Sequence, residues 1–371
     1  MPNPVPKNIL IAPLDWGGGH TTRCMPIISY LRHLGHNPIV AGNATQISII
    51  KDTYNNKIQT VHLDGYNIRY SALNRVLQAG LLFQMPGILS KIKQEHEWLK
   101  QAVKEHKLHG VLSDNRYGLH HSTIPTVIMT HQLHVLTGLG SAADGILQRL
   151  HYRQLNKFGS TWIADTEAAP GLAGKLSHTE HMPERYSYIG LLSRFATPVV
   201  PEPQGGGGIL VLLSGPEPQR SILSAILWRQ AVTYKGSNIT FVAGSKDAQI
   251  PDNIPPHITY HKRLGSEALQ PLLRAADMVL CRSGYSSIMD LIALGKKAIL
   301  IPTPGQTEQE YLGKMLHERG AFYSTAQSGF QLDSALKEAG TFLYTPIAAT
   351  NAYRQFETVV DEWLLGLGSS N

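Results

Sequence analysis

Residues 197–208 read Thr197-Pro-Val-Val-Pro-Glu-Pro-Gln-Gly-Gly-Gly-Gly208, a stretch that can continue neither a helix nor a strand and so reads as a linker. On both sides of it, short apolar runs alternate with stretches of helical spacing. Asn8–Leu14 is expected to be a buried strand, followed by a glycine-rich loop. A helix is then expected over Thr21–Leu34, with Met25, Ile28, Leu31 and Leu34 on one face and Gly35 ending it. Residues 38–42, 61–63, 110–113 and 126–130 read as further short strands. Beyond the linker, strands at 209–213, 240–243, 278–281 and 298–302 alternate with helices at 269–275, 286–294 and 309–319. Such alternation restricts the chain to α/β, with parallel, doubly wound sheets. The 371 residues suit two domains of about 150 each.

The charge balance is mild: 33 Lys and Arg against 27 Asp and Glu, a formal +6. There is no basic run and no interleaved aromatic pattern, so nucleic acid is not an expected partner. Peripheral contact with an anionic membrane is compatible with that charge. Cys24 and Cys281 exclude a disulfide framework and a cysteine zinc cluster, and they fit a reducing compartment. The apolar run Ile9–Leu14 is too short for a signal peptide. The longest stretch without Asp, Glu, Lys or Arg, Tyr117–Ala143, holds four His, a Pro and a Gln and is no membrane span. The expected location is cytoplasmic, with contact at the membrane face. Ser90–His106 reads as an exposed amphipathic helix. The uncharged segment Val76–Leu89 reads either as a core helix ended near Pro86 or as a patch that meets a membrane or a lipid acceptor.

The first turn, Asp15-Trp-Gly-Gly-Gly-His20, joins a strand to a helix, where backbone N–H groups favour anions. It is not a dinucleotide fingerprint. Thr22 stands where a third Gly belongs, and Asn43 where an acidic ribose ligand belongs. His20 either caps this turn or is a general base, since an imidazole takes a proton near neutral pH. Asp114 and His131 follow apolar strands and are expected at the same edge as His20. Asp114 orients His20, acts as an alternative base, or caps a helix; all three readings stay open.

In the second half, three small-residue turns follow three strands. Leu213-Ser-Gly-Pro-Glu-Pro218 follows the first. Arg282-Ser-Gly-Tyr-Ser-Ser287 aims N–H groups and hydroxyls at one spot suited to a diphosphate, with Asp290 one helical turn on, towards a ribose diol. Ile299-Leu-Ile-Pro-Thr-Pro-Gly-Gln-Thr-Glu-Gln-Glu310 carries Glu308 and Gln309 as candidates for sugar hydroxyls. The pairs His131/His134 and His178/His181 have His-x-x-His spacing, but metal binding needs a third ligand, and no metal site is expected.

Taken together, these motifs resemble GT-B glycosyltransferases, most closely the lipid II-forming N-acetylglucosaminyltransferases with a glycosyltransferase family 28 C-terminal domain. The resemblance implies two Rossmann-like domains facing across a cleft: an acceptor domain at 1–195, the linker at 196–208 and a donor domain at 209–345. A helix at 346–371 would pack back on the first domain. It implies a UDP-sugar donor that is substrate rather than cofactor, and no metal at the donor. By the same resemblance, Ser214 and Gly215 match a diphosphate loop whose preceding glycine is here Leu213. Ser283, Gly284, Tyr285, Ser286 and Asp290 match the ribose segment, with Asp290 where Glu is usual. Gln309 and Glu310 match a sugar-reading Gln pair. Gly190-Leu-Leu-Ser-Arg194 resembles a stretch whose arginine touches the donor phosphates; otherwise Arg194 is an ordinary surface residue.

Gly17-Gly-Gly-His-Thr-Thr-Arg-Cys24 is nearer to the UDP-sugar hydrolase of pseudaminic acid biosynthesis, in which the matching His is the presumed base. Gly18, Gly19, Arg116 and His131 complete the expected substrate contacts. The segments 113–118 and 130–134 do not match the lipid-acceptor loop of the transferases. Three functions follow: an inverting transfer of a hexose or N-acetylhexosamine to a lipid-linked or glycan acceptor, a hydrolase using water, or a non-catalytic nucleotide-sugar-binding subunit.

Overall fold

The computed structural model describes residues 5–66, 77–135, 141–196 and 207–367, so the linker lies outside it except for its last two glycines. The chain divides into two units. The first takes Gln78–Ser193, the chain before it and the stretch from Thr350; the second is built chiefly from Arg194–Ala349.

The first unit contains β1 (Asn8–Pro13), α1 (Gly19–His33), β2 (Asn37–Gly42), α2 (Ala44–Tyr54), β3 (Gln59–His62), α3 (Leu77–Glu105), β4 (Gly110–Asp114), β5 (Thr126–Thr130), α4 (Ser141–Leu155), β6 (Ser160–Ile163) and β7 (Tyr186–Tyr188). The second contains β8 (Ile209–Leu212), α5 (Gln219–Ala231), β9 (Ile239–Val242), β10 (Ile258–His261), α6 (Ser266–Ala275), β11 (Met278–Cys281), α7 (Tyr285–Ala293), β12 (Ala298–Leu300), α8 (Thr307–Glu318), β13 (Tyr323–Ser324) and α9 (Leu332–Thr341). The last helix, α10 (Gln355–Gly366), clusters with the first unit.

Among the described residues the strand order is β3-β2-β1-β4-β5-β6-β7 in the first sheet and β10-β9-β8-β11-β12-β13 in the second. The strand pairs are parallel throughout. Each order reverses direction once, between β1 and β4 and between β8 and β11. Ligands of such sheets bind outside the carboxyl ends of the strands at that reversal. The register puts Pro13 beside Asp114 in the first sheet and Leu212 beside Cys281 in the second.

The central strands are apolar on both faces, as parallel strands covered by helices must be. Ile9, Leu10 and Ile11 are fully buried, as are Val279, Leu280, Ile299 and Leu300. Leu99 and Ala102 of α3 pack into the first core with Leu10, Ile39 and Val111. Asn43 and Gln46 form a reciprocal capping box that starts α2.

One helix differs from expectation. The apolar segment and the amphipathic helix are a single 29-residue α3 that runs through Pro86. A proline removes one hydrogen bond and crowds one turn, at a cost of about 3 kcal/mol. Val76 lies outside the described residues. Among those described, no helix is long and apolar enough to cross a membrane.

The final helix is tied into the first unit by its own pattern. Phe356, Val360 and Leu364 repeat every four residues and are buried. Trp363 packs edge-on against Trp162 at 5.4 Å, and Tyr30 Oη donates to Asp361 at 2.9 Å. Leu191 N–H donates to Ala352 O at 2.9 Å, and a Cβ on the neighbouring Gly190 would stand 2.0 Å from that oxygen. Glycine is required there by close approach.

Candidate active site

In the first unit the site grows from one helical face. His20, Arg23 and Cys24 sit at i, i+3 and i+4 of α1, so all three point the same way. They meet Asp114, the last residue of β4. His20 Nδ1 lies 3.0 Å from Asp114 Oδ2. Arg23 Nε donates to the same oxygen at 2.9 Å, and Arg23 Nη2 donates to Oδ1. Cys24 Sγ donates to Oδ2 at 3.7 Å. Arg23 Nη1 also reaches His131 Nδ1 at 2.9 Å. Gly18 and Gly19, half-buried, begin the helix, and Gly18 offers no side-chain cap.

The electrostatics assign protonation states. Asp114 is fully buried, and burial alone raises a carboxyl group's pKa. Here the Arg23 guanidinium and His20 more than offset that, holding Asp114 well below the usual carboxylate range. It stays ionised, accepts from four donors and is too weakly basic to take a proton. As the end of a strand it caps no helix. Of the three readings of Asp114, orienting His20 matches this geometry.

His20 has its pKa lowered, first by burial and then by Arg23, against the opposing pull of Asp114. It is neutral near pH 7. An ionised Asp114 must receive Nδ1–H, which leaves the Nε2 lone pair as the acceptor. The His20 side chain is 14% exposed, whereas Asp114 is fully buried. His131 is buried, and a guanidinium can only donate, so His131 Nδ1 accepts. Burial pushes the Cys24 thiol up, so it remains a thiol that donates to Asp114.

Arg116, expected as a substrate contact, is none. It is fully buried and pairs through Nε with Glu95 Oε1 at 2.6 Å. It also donates to Pro13 O and Asp64 O. Glu95 Oε2 in turn accepts from Tyr66 Oη at 2.6 Å and Gly118 N–H at 3.2 Å. This buried pair ties the end of β1 to the loops after β3 and β4.

In the second unit the three turns lie after β8, β11 and β12. Arg282, buried, donates to Gln219 O at 2.8 Å, Ile301 O at 3.2 Å and Pro302 O at 3.1 Å, joining all three. Ser214 is half-buried and Gly215 has φ +99°, a backbone that favours glycine. Gly284 starts α7 with no side-chain cap, and a Cβ there would meet nothing within 4 Å. The backbone N–H groups of that first helical turn point back towards the turn after β11. Ser286 is half-buried beside them.

Several expected contacts serve the fold instead. Ser283 is fully buried and its hydroxyl donates to Gln309 O at 2.8 Å. Tyr285 is buried in the core. Gln309 is buried, and its Oε1 accepts from Thr303 N–H at 2.9 Å. Glu310 is exposed, and its Oε1 accepts from Gly305 N–H at 2.8 Å. These two side chains shape the loop ahead of α8. Glu308, half-buried, remains at its surface.

Arg194, expected on phosphate, lies on the ribose candidate instead. Its Nε is 3.2 Å from Asp290 Oδ2, and its Nη1 donates to Ser266 Oγ at 3.1 Å. The guanidinium also stacks over Phe195 at 4.7 Å. The sequence treated Arg194 and Asp290 as separate ligands, and the fold joins them.

The histidine pairs have other work. His131 is taken by Arg23. His178 Nδ1 lies 2.9 Å from Ser177 Oγ and its Nε2 3.2 Å from Glu167 O. Among the described residues, no group of three or more His, Cys, Asp or Glu is arranged to hold a metal ion. The residues that sequence reasoning passed over are Arg23, Cys24, Glu95 and Arg282. The i, i+3, i+4 spacing after His20 was the available signal for the first two.

Residues 252–358 match the glycosyltransferase family 28 C-terminal domain. A Desulforudis audaxviator protein is 45% identical over 76 residues, which is 20% of this chain and 19% of that one. A Prosthecochloris aestuarii protein is 30% identical over 147 residues, 38% of this chain and 40% of that one. Both are named UDP-N-acetylglucosamine–N-acetylmuramyl-(pentapeptide) pyrophosphoryl-undecaprenol N-acetylglucosamine transferases. The chain thus matches less than half the length of these relatives.

Two solved structures extend the likeness over the whole chain as fold alone. The calicheamicin glycosyltransferase CalG4 has TM-score 0.59 at 15% identity, covering 98% of this chain and 99% of that one. MurG of Acinetobacter baumannii has TM-score 0.53 at 16% identity, covering 97% and 100%. Residues 252–358 are thus similar to the glycosyltransferase family 28 C-terminal domain, in a chain whose fold is that of the GT-B glycosyltransferases among these solved structures.

Proposed function

We propose that this protein is an inverting glycosyltransferase that moves a sugar from a UDP-sugar to a hydroxyl acceptor. The observation that carries the reading is His20, neutral and oriented by an ionised Asp114, at the switch point of the first sheet. His20 Nε2 takes the acceptor's hydroxyl proton as its oxygen attacks C1 of the sugar from the face opposite the nucleotide. UDP leaves, and Asp114 stabilises the imidazolium that forms. Such base catalysis is worth about 10²–10⁴-fold.

The donor belongs to the second unit. Its diphosphate is taken by the N–H groups at the start of α7 and by the Ser214–Gly215 turn. The ribose diol is taken by Asp290, which Arg194 holds in place, and the sugar lies towards Glu308. The reading calls for no metal or other cofactor. The relatives' names favour an N-acetylhexosamine donor and a lipid-linked acceptor, met at the membrane face. They lend nothing to the hydrolase or the non-catalytic subunit.

A thermal-shift series with UDP, GDP, TDP and CMP sugars tests the donor, because a ligand that binds only the folded state raises the unfolding temperature. Selective stabilisation by a UDP-sugar, with nucleotide release that needs an acceptor, is the expected result. Fast release into water alone would make the protein a hydrolase, and no shift with any nucleotide sugar would remove the donor assignment.

A further inference from the structure

The first turn of α5, beside the loop that follows β8, contains an arginine that the donor reading has not used. Arg220 is the second residue of α5 and folds back over the turn. Its Nη1 donates to Gly215 O at 3.2 Å and its Nη2 to Glu217 Oε1 at 2.6 Å. Glu217 Oε2 accepts the Ser221 N–H at 3.2 Å. One carboxylate therefore closes the start of α5 and holds the arginine. The Arg220 side chain is 19% exposed and that of Glu217 49%. A Cβ on Gly215 would meet nothing within 4 Å, so the turn is open beside the guanidinium. A Cβ on Gly244, just after β9, would stand 3.5 Å from Arg220 Cδ, so the arginine stem runs along a second strand end.

Exposed ion pairs contribute little to stability, so the pair is a weak latch. A guanidinium fork fits a carboxylate and a phosphate equally well, and a diphosphate brings more charge than one solvated carboxylate. We propose that Arg220 is a phosphate-binding residue of the donor site, held ready by Glu217 and exchanging that carboxylate for the donor's diphosphate. The assignment rests on the reading that the second unit seats a nucleotide sugar. It places a cation at a turn where Glu217 would otherwise repel an anion.

Titration of UDP, and of uridine as a ligand without phosphate, into the wild type and the Arg220→Met, Arg220→Lys and Glu217→Gln variants tests this. Arg220→Met should weaken UDP by about 10-fold or more and leave uridine unchanged, as expected for losing charged hydrogen bonds. Arg220→Lys should recover part of the loss. Glu217→Gln should bind UDP as tightly as the wild type or more tightly, because the latch is gone and the arginine remains. Unchanged UDP affinity in Arg220→Met would overturn the assignment. So would a parallel loss of UDP and uridine in Arg220→Met and Glu217→Gln, the signature of a structural staple. Failure of the wild type to bind UDP would instead overturn the donor reading, and this assignment with it.

Discussion

His20 and Asp114 are 94 residues apart in the chain and 3.0 Å apart in the fold. The β1–β4 pairing brings them together, because it sets the end of β4 against the end of β1, just before the turn that leads to His20. Arg23, one helical turn further, keeps Asp114 ionised while lowering the pKa of His20. One guanidinium thus makes the carboxylate a fixed acceptor and the imidazole a neutral base.

The pH dependence of turnover follows from that. The pKa of His20 is lowered from 6.5 by burial and Arg23. The acid limb of kcat/KM should therefore have its midpoint below pH 6.5, with activity constant above it through neutrality. A midpoint at or above 6.5 in a pH–rate profile would contradict the electrostatic account.

Asp114→Asn tests the orientation. The amide keeps the volume but removes the charge that fixes Nδ1–H on His20. Turnover should fall by about 10²-fold or more, the scale of losing oriented base catalysis. Affinity for UDP, a property of the second unit, should not change. The buried Arg23 loses its counter-charge, so the unfolding free energy should drop by about 3–5 kcal/mol in denaturant titration.

Asp290→Asn separates the ribose contact from the base. The carboxylate that faces Arg194 at 3.2 Å is lost, so UDP affinity should fall about 10-fold, while the pH profile of turnover keeps its wild-type midpoint. Titration calorimetry reads the first effect. A shifted pH midpoint would show that Asp290 and His20 do not act independently.

Acid stability has a separate source in His151. It is buried and neutral, with Nε2–H donating to Gln132 O at 3.0 Å and Nδ1 accepting from Tyr117 Oη at 2.9 Å. Burial lowers its pKa to about 4. As pH falls the unfolded chain takes the proton first, so this contribution is complete above about pH 6.5 and declines towards pH 4. Its full size is on the order of 3 kcal/mol. His151→Gln should show a shallower loss of stability between pH 7 and pH 4 than the wild type.

Much of this was legible in the residues. Apolar runs and glycine-rich turns marked the central strands, and placed Asp114 at a strand end and His20 and Asp290 just beyond the turns that follow two others. Edge strands of two or three residues, such as Tyr323–Ser324 and Tyr186–Tyr188, are too short to show a period. Arg116 looked like a loop ligand because Glu95, its buried partner, comes from a helix 21 residues earlier. Arg23 was given no role of its own, because its partner Asp114 lies 91 residues away in the chain. A charged side chain's burial is decided by a partner that local sequence does not reveal. Gln309 and Glu310 were read as sugar ligands, yet their side chains close onto Thr303 and Gly305 of the same loop.

The most direct test of the account is turnover of the His20→Ala variant, followed as UDP release from UDP-N-acetylglucosamine with a lipid-linked acceptor. The account predicts wild-type UDP affinity and unfolding temperature, with kcat reduced about 10²–10⁴-fold. Undiminished turnover in a folded, UDP-binding variant would contradict it and remove His20 from the mechanism.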